Sequence, residues 1–121
     1  MSSRQVLGMK AFCGAFPVLP GKTEAAKDFA KSVMGSRFKE FDASQKRLKT
    51  TKEAWFLQKT PQGDMVVVYL EATDPEKAFE ELATSKEPFD RWFKDQVKTI
   101  TGVDLDQPGG AAPEQILSYG S

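Results

Sequence analysis

The chain has 121 residues, 40% hydrophobic and 28% charged, which suits one domain with a substantial core. Lys plus Arg and Asp plus Glu number 17 each, so a formal charge of zero supplies no electrostatic attraction to nucleic acid or an anionic membrane. Histidine is absent, which excludes Ser-His-Asp and Cys-His nucleophile systems, His-ligated haem, and the common His-bearing zinc and iron sites.

Val6 to Val18 reads as a first strand with two largely apolar faces, stopped by Pro17 and turned at Pro20-Gly21. The lone cysteine, Cys13, lies in this run, and its apolar neighbours predict a small buried hydrophobe. One long helix is expected from Lys22 to Arg47. Ala26, Phe29, Ala30, Val33, Arg37, Phe41 and Ser44 recur along it at three- and four-residue steps and form one stripe. Gly35 sits in mid-helix at a cost of about 1 kcal/mol relative to alanine. It reads equally as a kink or close contact and as a tolerated surface glycine.

Glu53 to Thr60 reads as a second strand and Met65 to Ala72 as a third, joined by a hairpin loop at Pro61-Gln62-Gly63-Asp64. Asp74-Pro75 opens a helix, aspartate as N-cap and proline at the first helical position. Ala78, Phe79, Leu82 and Ala83 form its apolar face. Ser85 to Pro88 interrupts it, and Phe89, Trp92, Phe93, Val97 and Ile100 carry a second helical stripe that Gly102 caps. Val103 to Pro113 is a long Gly/Pro/Ala-rich loop that suits an arm or a lid, and Glu114 to Tyr119 a short final strand.

The order β-α-β-β-α-β is that of the ferredoxin-like fold, an antiparallel sheet with helices on one face. The open face of such a sheet is expected to be polar. Here Ala11-Phe12-Cys13, Trp55-Phe56-Leu57 and Val66 to Leu70 place apolar groups on both faces. A second copy, sheet against sheet, would cover them, so a homodimer through the sheet face is expected. No apolar stretch approaches the ~20 residues that span a bilayer, and Met1 to Gln5 lacks a signal-peptide core, so the expected location is the cytoplasm.

Val18 to Glu24 after the first strand, the split aromatic-rich second helix from Phe79 to Phe93, and Glu40 to Leu57 with its Glu53-Ala54-Trp55-Phe56-Leu57 run resemble dimeric α+β barrel proteins, most of all small bacterial members of unassigned function. The resemblance covers residues 5–120 as a single domain. It implies a dimeric α+β barrel but no single activity, since that superfamily includes cofactor-free monooxygenases, polyketide cyclases, haem enzymes, isomerases and stress proteins.

Such proteins hold their pocket between helices and sheet, which sets the candidate site residues. Arg37 and Glu40, three apart on the first helix, suit an anion or carbonyl anchor plus a base, or a structural ion pair. Trp55 and Trp92 suit stacking on a flat ligand, or core packing. Gln58, the polar member of an apolar strand face, suits orienting a ligand carbonyl or ending the core near the hairpin. Tyr69 and Glu71 share a strand face and suit proton transfer, or a hydrogen bond across a dimer. The basic run Lys46 to Lys52 reads mainly as a solvated helix end, with a phosphate site as the alternative. No motif calls for a cofactor or a metal. The leading expectation is a protein that binds a small apolar or aromatic molecule between helices and sheet. The alternatives are a cofactor-independent monooxygenase or polyketide-cyclase-like enzyme, and a structural or stress-related dimer without a ligand.

Overall fold

A computed structural model describes residues 8–107, 109 and 112–120. Its elements are β1 (Lys10–Pro17), α1 (Thr23–Met34), α2 (Phe38–Arg47), β2 (Thr50–Thr60), β3 (Gly63–Ala72), α3 (Pro75–Thr84) and α4 (Pro88–Thr101). They make a mixed α+β fold, a three-stranded antiparallel sheet of order β1-β3-β2 with four helices.

Alternation sorts the strand residues cleanly. Phe12, Gly14 and Phe16 of β1, Val66, Val68 and Leu70 of β3, and Glu53, Trp55 and Leu57 of β2 share one face by register. This is the face on which the helices pack. Phe12 stacks edge-on against Phe79 of α3 at 5.0 Å between ring centroids. Val18, Ala26, Phe29, Val33 and Ile100 form the buried core, with Trp55, Val66, Trp92, Phe93 and Val97 against it. The opposite face carries Ala11, Cys13 and Ala15, Met65, Val67 and Tyr69, and Ala54 and Phe56, and it has no helix over it among the described residues.

Four expectations need correction. The long first helix is two helices, broken at Gly35–Arg37. Gly35 has φ −113° and ψ −105°, and a Cβ there would lie 2.8 Å from the Lys31 carbonyl oxygen. The glycine therefore marks a close backbone approach. Cys13 is exposed, because strand alternation turns it to the uncovered face. The second strand starts earlier, at Thr50, after Lys49 turns the chain with φ 58°.

The fourth correction is that Glu114 to Tyr119 is no strand: residues 112–120 have no regular structure and are exposed. A strand exists only where a neighbour accepts its ladder of hydrogen bonds, and among the described residues this segment has none. Part of the expected first strand, Val6 and Leu7, lies outside the described residues.

The second helical pair forms as expected. Asp74 caps α3 by accepting from the Lys77 amide at 3.1 Å, and Gly102 closes α4 at φ 79° with its amide bonded to the Lys98 carbonyl. No helix among the described residues is long and apolar enough to cross a membrane.

Candidate functional site

Between the helices and the sheet lies a cavity of about 110 Å³. Phe29, Phe41, Phe89 and Phe93 wall it from the helices, and Val66, Val68 and Leu70 from β3. Leu105, in the segment after α4, lines it too. The aromatic walls interlock: Phe29 lies 5.3 Å from Trp55 and 5.2 Å from Phe93, and Trp55 lies 5.9 Å from Phe93.

One carboxyl group enters this apolar space. Glu53 sits opposite Leu70 in the ladder and two residues before Trp55, so both side chains project to the helix face. The Trp55 indole Nε1–H donates to Glu53 Oε2 at 2.7 Å, and Gln45 Nε2 of α2 donates to Oε1 at 2.8 Å. Burial pushes the Glu53 pKa up from its ordinary 4.5, and the two hydrogen bonds only partly offset that. A carboxyl so placed exchanges its proton nearer neutral pH than a solvated one, and it can accept or donate a hydrogen bond.

Of the five residues expected to bind a ligand, Trp55 alone lines the cavity. Trp92 turns one edge to Phe29, at 5.5 Å, while its outer face carries the Arg37 guanidinium 4.1 Å from the ring centroid. Arg37 Nη1 also reaches Glu40 Oε1 at 3.3 Å on the surface. The break at Gly35 makes Arg37 the N-cap of α2 and carries it away from the cavity. Gln58 is exposed on the uncovered sheet face and donates to the Lys59 carbonyl at 3.0 Å.

Tyr69 and Glu71 lie on that same uncovered face, the phenol donating to Glu71 Oε2 at 2.5 Å. The bond to Glu71 raises the Tyr69 pKa, with burial and the carboxylate charge adding to it. Sequence reading passed over Glu53 and Gln45. The signal was available: a glutamate in step with Trp55 on the helix-facing side of a strand is a carboxylate placed toward the core.

Residues 9–108 match a family of unknown function, DUF6176. The chain belongs to this family. The matched stretch holds Gln45, Glu53, Trp55 and Leu105, whereas the DUF6176 match stops short of residues 112–120. No curated protein and no solved structure matches the chain.

In this DUF6176 fold a second polar cluster supports the cavity wall. Asp90, in the first turn of α4 and 1% exposed, accepts from Ser44 Oγ at 2.6 Å, Ser85 Oγ at 2.6 Å and Arg47 Nη2 at 2.9 Å. Burial acts to raise its pKa. The three hydrogen bonds and the Arg47 charge together outweigh burial, and the net effect is a lowered pKa. The nearby Lys94 ammonium donates to the carbonyls of Ala83 and Ser85 and pairs with Asp106 at 2.6 Å. Together these contacts tie α2, the α3–α4 connection and the segment bearing Leu105 into one frame. Among the described residues no buried side-chain donor or acceptor lacks a partner, so the buried part of the frame positions the cavity. Among the described residues, no group of three or more Cys, Asp or Glu side chains is arranged to hold a metal ion.

Proposed function

We propose that this chain binds a small apolar or aromatic molecule in the cavity between helices and sheet, with Glu53 as its polar anchor. The observation that carries the reading is a cavity of about 110 Å³ with aromatic and aliphatic walls and one partly satisfied carboxyl group. A cavity of ~150 Å³ holds benzene, whereas drug-sized ligands occupy roughly 300 Å³ or more. At about 110 Å³ the cavity lies below both, so the fitting ligand is at most about one ring in size and carries a single hydrogen-bonding group.

The working form is a cytoplasmic homodimer of ferredoxin-like halves joined as a dimeric α+β barrel. Support comes from the uncovered sheet face, where Phe56 is 60% exposed beside Val67 and Met65. An apolar surface of this kind ordinarily marks an interface.

The test is calorimetric titration with toluene, phenol and p-cresol. The expected result is saturable binding at one site per chain, tighter for the phenols than for toluene, and lost in a Val68→Phe variant that fills the cavity but still folds. Absence of binding to the parent protein, or binding that Val68→Phe leaves intact, overturns the reading and favours the ligand-free dimer.

A second reading, a cofactor-independent enzyme, is favoured by the raised Glu53 pKa inside an apolar cavity. Glu53 would take a proton from a bound one-ring substrate while Trp55 and Gln45 hold the carboxylate in place. Tyr69 and Glu71 suit that role less well, since they bond each other on the opposite face of the sheet. A polyketide is too large for a cavity of this volume, so the substrate class contracts with it.

A further inference from the structure

The structure leaves two unsatisfied features that match each other. The first is the outer edge of β1. This strand pairs only with β3 among the described residues, so the outward-pointing N–H and C=O groups of its alternate residues are unpaired along a row about 26 Å long. An edge of that length without a bulge or a charge in its middle is a template for another strand. The second is the segment 114–119. Ile116 is 90% exposed, Leu117 77% and Tyr119 98%, the most exposed large apolar side chains described. Fully extended, its six residues span about 20 Å, within the length of the edge.

We propose that Glu114–Tyr119 adds as a fourth strand to β1 of a second copy, so that the two chains exchange arms. The proposal rests on the dimer reading above and goes beyond it, since a sheet-face dimer requires no arm. Three observations favour the partner's edge over the chain's own. The end of α4 lies beside the end of β1, with the Leu19 amide bonded to the Ile100 carbonyl at 2.8 Å. A connection of 2–6 residues would ordinarily serve for a neighbouring strand, whereas residues 102–113 precede the arm. Next, Lys98–Asp104 and then Lys94–Asp106 route the chain back along α4, away from the end of β1.

The third observation is area. The uncovered face of a three-stranded sheet eight residues long has a footprint of roughly 400 Å². A stable interface takes about 800 Å² from each partner. Two exchanged arms supply the missing surface and extend the same sheet, so the arm's inward side chains continue the uncovered apolar face.

Cys13, the sole cysteine and central in β1, makes the test direct. Cysteine is introduced singly as Gln115→Cys, Ile116→Cys, Leu117→Cys and Ser118→Cys, each variant is oxidised, and the products are separated without reductant. A second chain ending at residue 113 is examined by sedimentation. The expected result is a covalent dimer at alternate positions, abolished by Cys13→Ser, and at least a tenfold weaker dimer on truncation. A disulfide within one chain overturns the proposal in favour of the chain's own edge. Absence of cross-links with an unweakened truncated dimer overturns it while leaving the sheet-face dimer standing. A monomeric full-length chain overturns both.

Discussion

Glu53 and Asp90 are both sheltered carboxyl groups held by hydrogen bonds, yet their pKa values move in opposite directions. Asp90 accepts three bonds, one from a guanidinium, and is held ionised. Glu53 accepts two from neutral donors, and burial prevails. The signs of their linkage to folding differ accordingly. Stability from Asp90 is present above its ordinary 3.8 and is lost as pH falls through the lower folded value.

For Glu53 the folded chain holds the proton more tightly, so the favourable term is complete below 4.5 and is lost as pH rises through the folded value. Glu53→Gln should therefore raise the melting temperature relative to the parent by an amount that grows as pH rises above 4.5 and levels off above the raised folded value. A constant difference across that range would mean that burial does not dominate at this residue. Asp90→Ala leaves Ser44, Ser85 and Arg47 without their shared acceptor and should cost about 3 kcal/mol in urea unfolding at neutral pH. A loss near that of an ordinary surface substitution, within about 0.5 kcal/mol, would contradict the framing role. Neither carboxylate stood out in the sequence. Asp90 lies in a plain helical first turn, and its partners Ser44 and Arg47 are more than forty positions away.

The secondary elements were easier to read, because period and punctuation are local. Asp74-Pro75, Ser85 to Pro88 and Gly102 fall where their residue chemistry demands, whereas the hairpin turn is shorter than the expected four residues: only Pro61-Gln62 turn, and Gly63 and Asp64 already pair in β3. The helical stripe through Ala26, Phe29, Val33 and Ser44 also holds across two helices, which is why the break was hard to see: the four buried positions keep step on both sides of Gly35. What distinguishes a broken helix is backbone crowding, here the Lys31 carbonyl against the missing Cβ. Gly35→Ala accordingly opposes helix propensity. Alanine would gain about 1 kcal/mol in a continuous helix but should destabilise this chain by roughly 1–3 kcal/mol through the clash. Thermal melting decides the sign, and stabilisation would mean that the helix runs through. The final segment, 114–119, carries Ile116, Leu117 and Tyr119 in a strand-length run, but a strand also needs a pairing neighbour, and local pattern cannot supply one.

At the scale of the whole molecule, the sheet has one face committed to the helices and the cavity and one face that no helix covers among the described residues. Phe56 reports on the second face. In a free monomer Phe56→Glu is a surface change worth within about 0.5 kcal/mol. In a dimer joined through the sheet it buries a charge opposite apolar side chains. Sedimentation velocity across a concentration series should show the parent as a dimer and Phe56→Glu as a folded monomer. Equal association of the two would remove the sheet face from the interface.

The measurement that tests the central claim most directly uses the two indole N–H groups as internal reporters in a proton–nitrogen NMR titration with p-cresol. Trp55 Nε1–H bonds Glu53 at the cavity, whereas Trp92 lies beneath Arg37 at the outer surface. The expected result is a saturable shift of the Trp55 indole signal, with Trp92 responding less and both unmoved in Val68→Phe. A shift confined to Trp92, or no shift at either indole, would contradict a ligand site at Glu53.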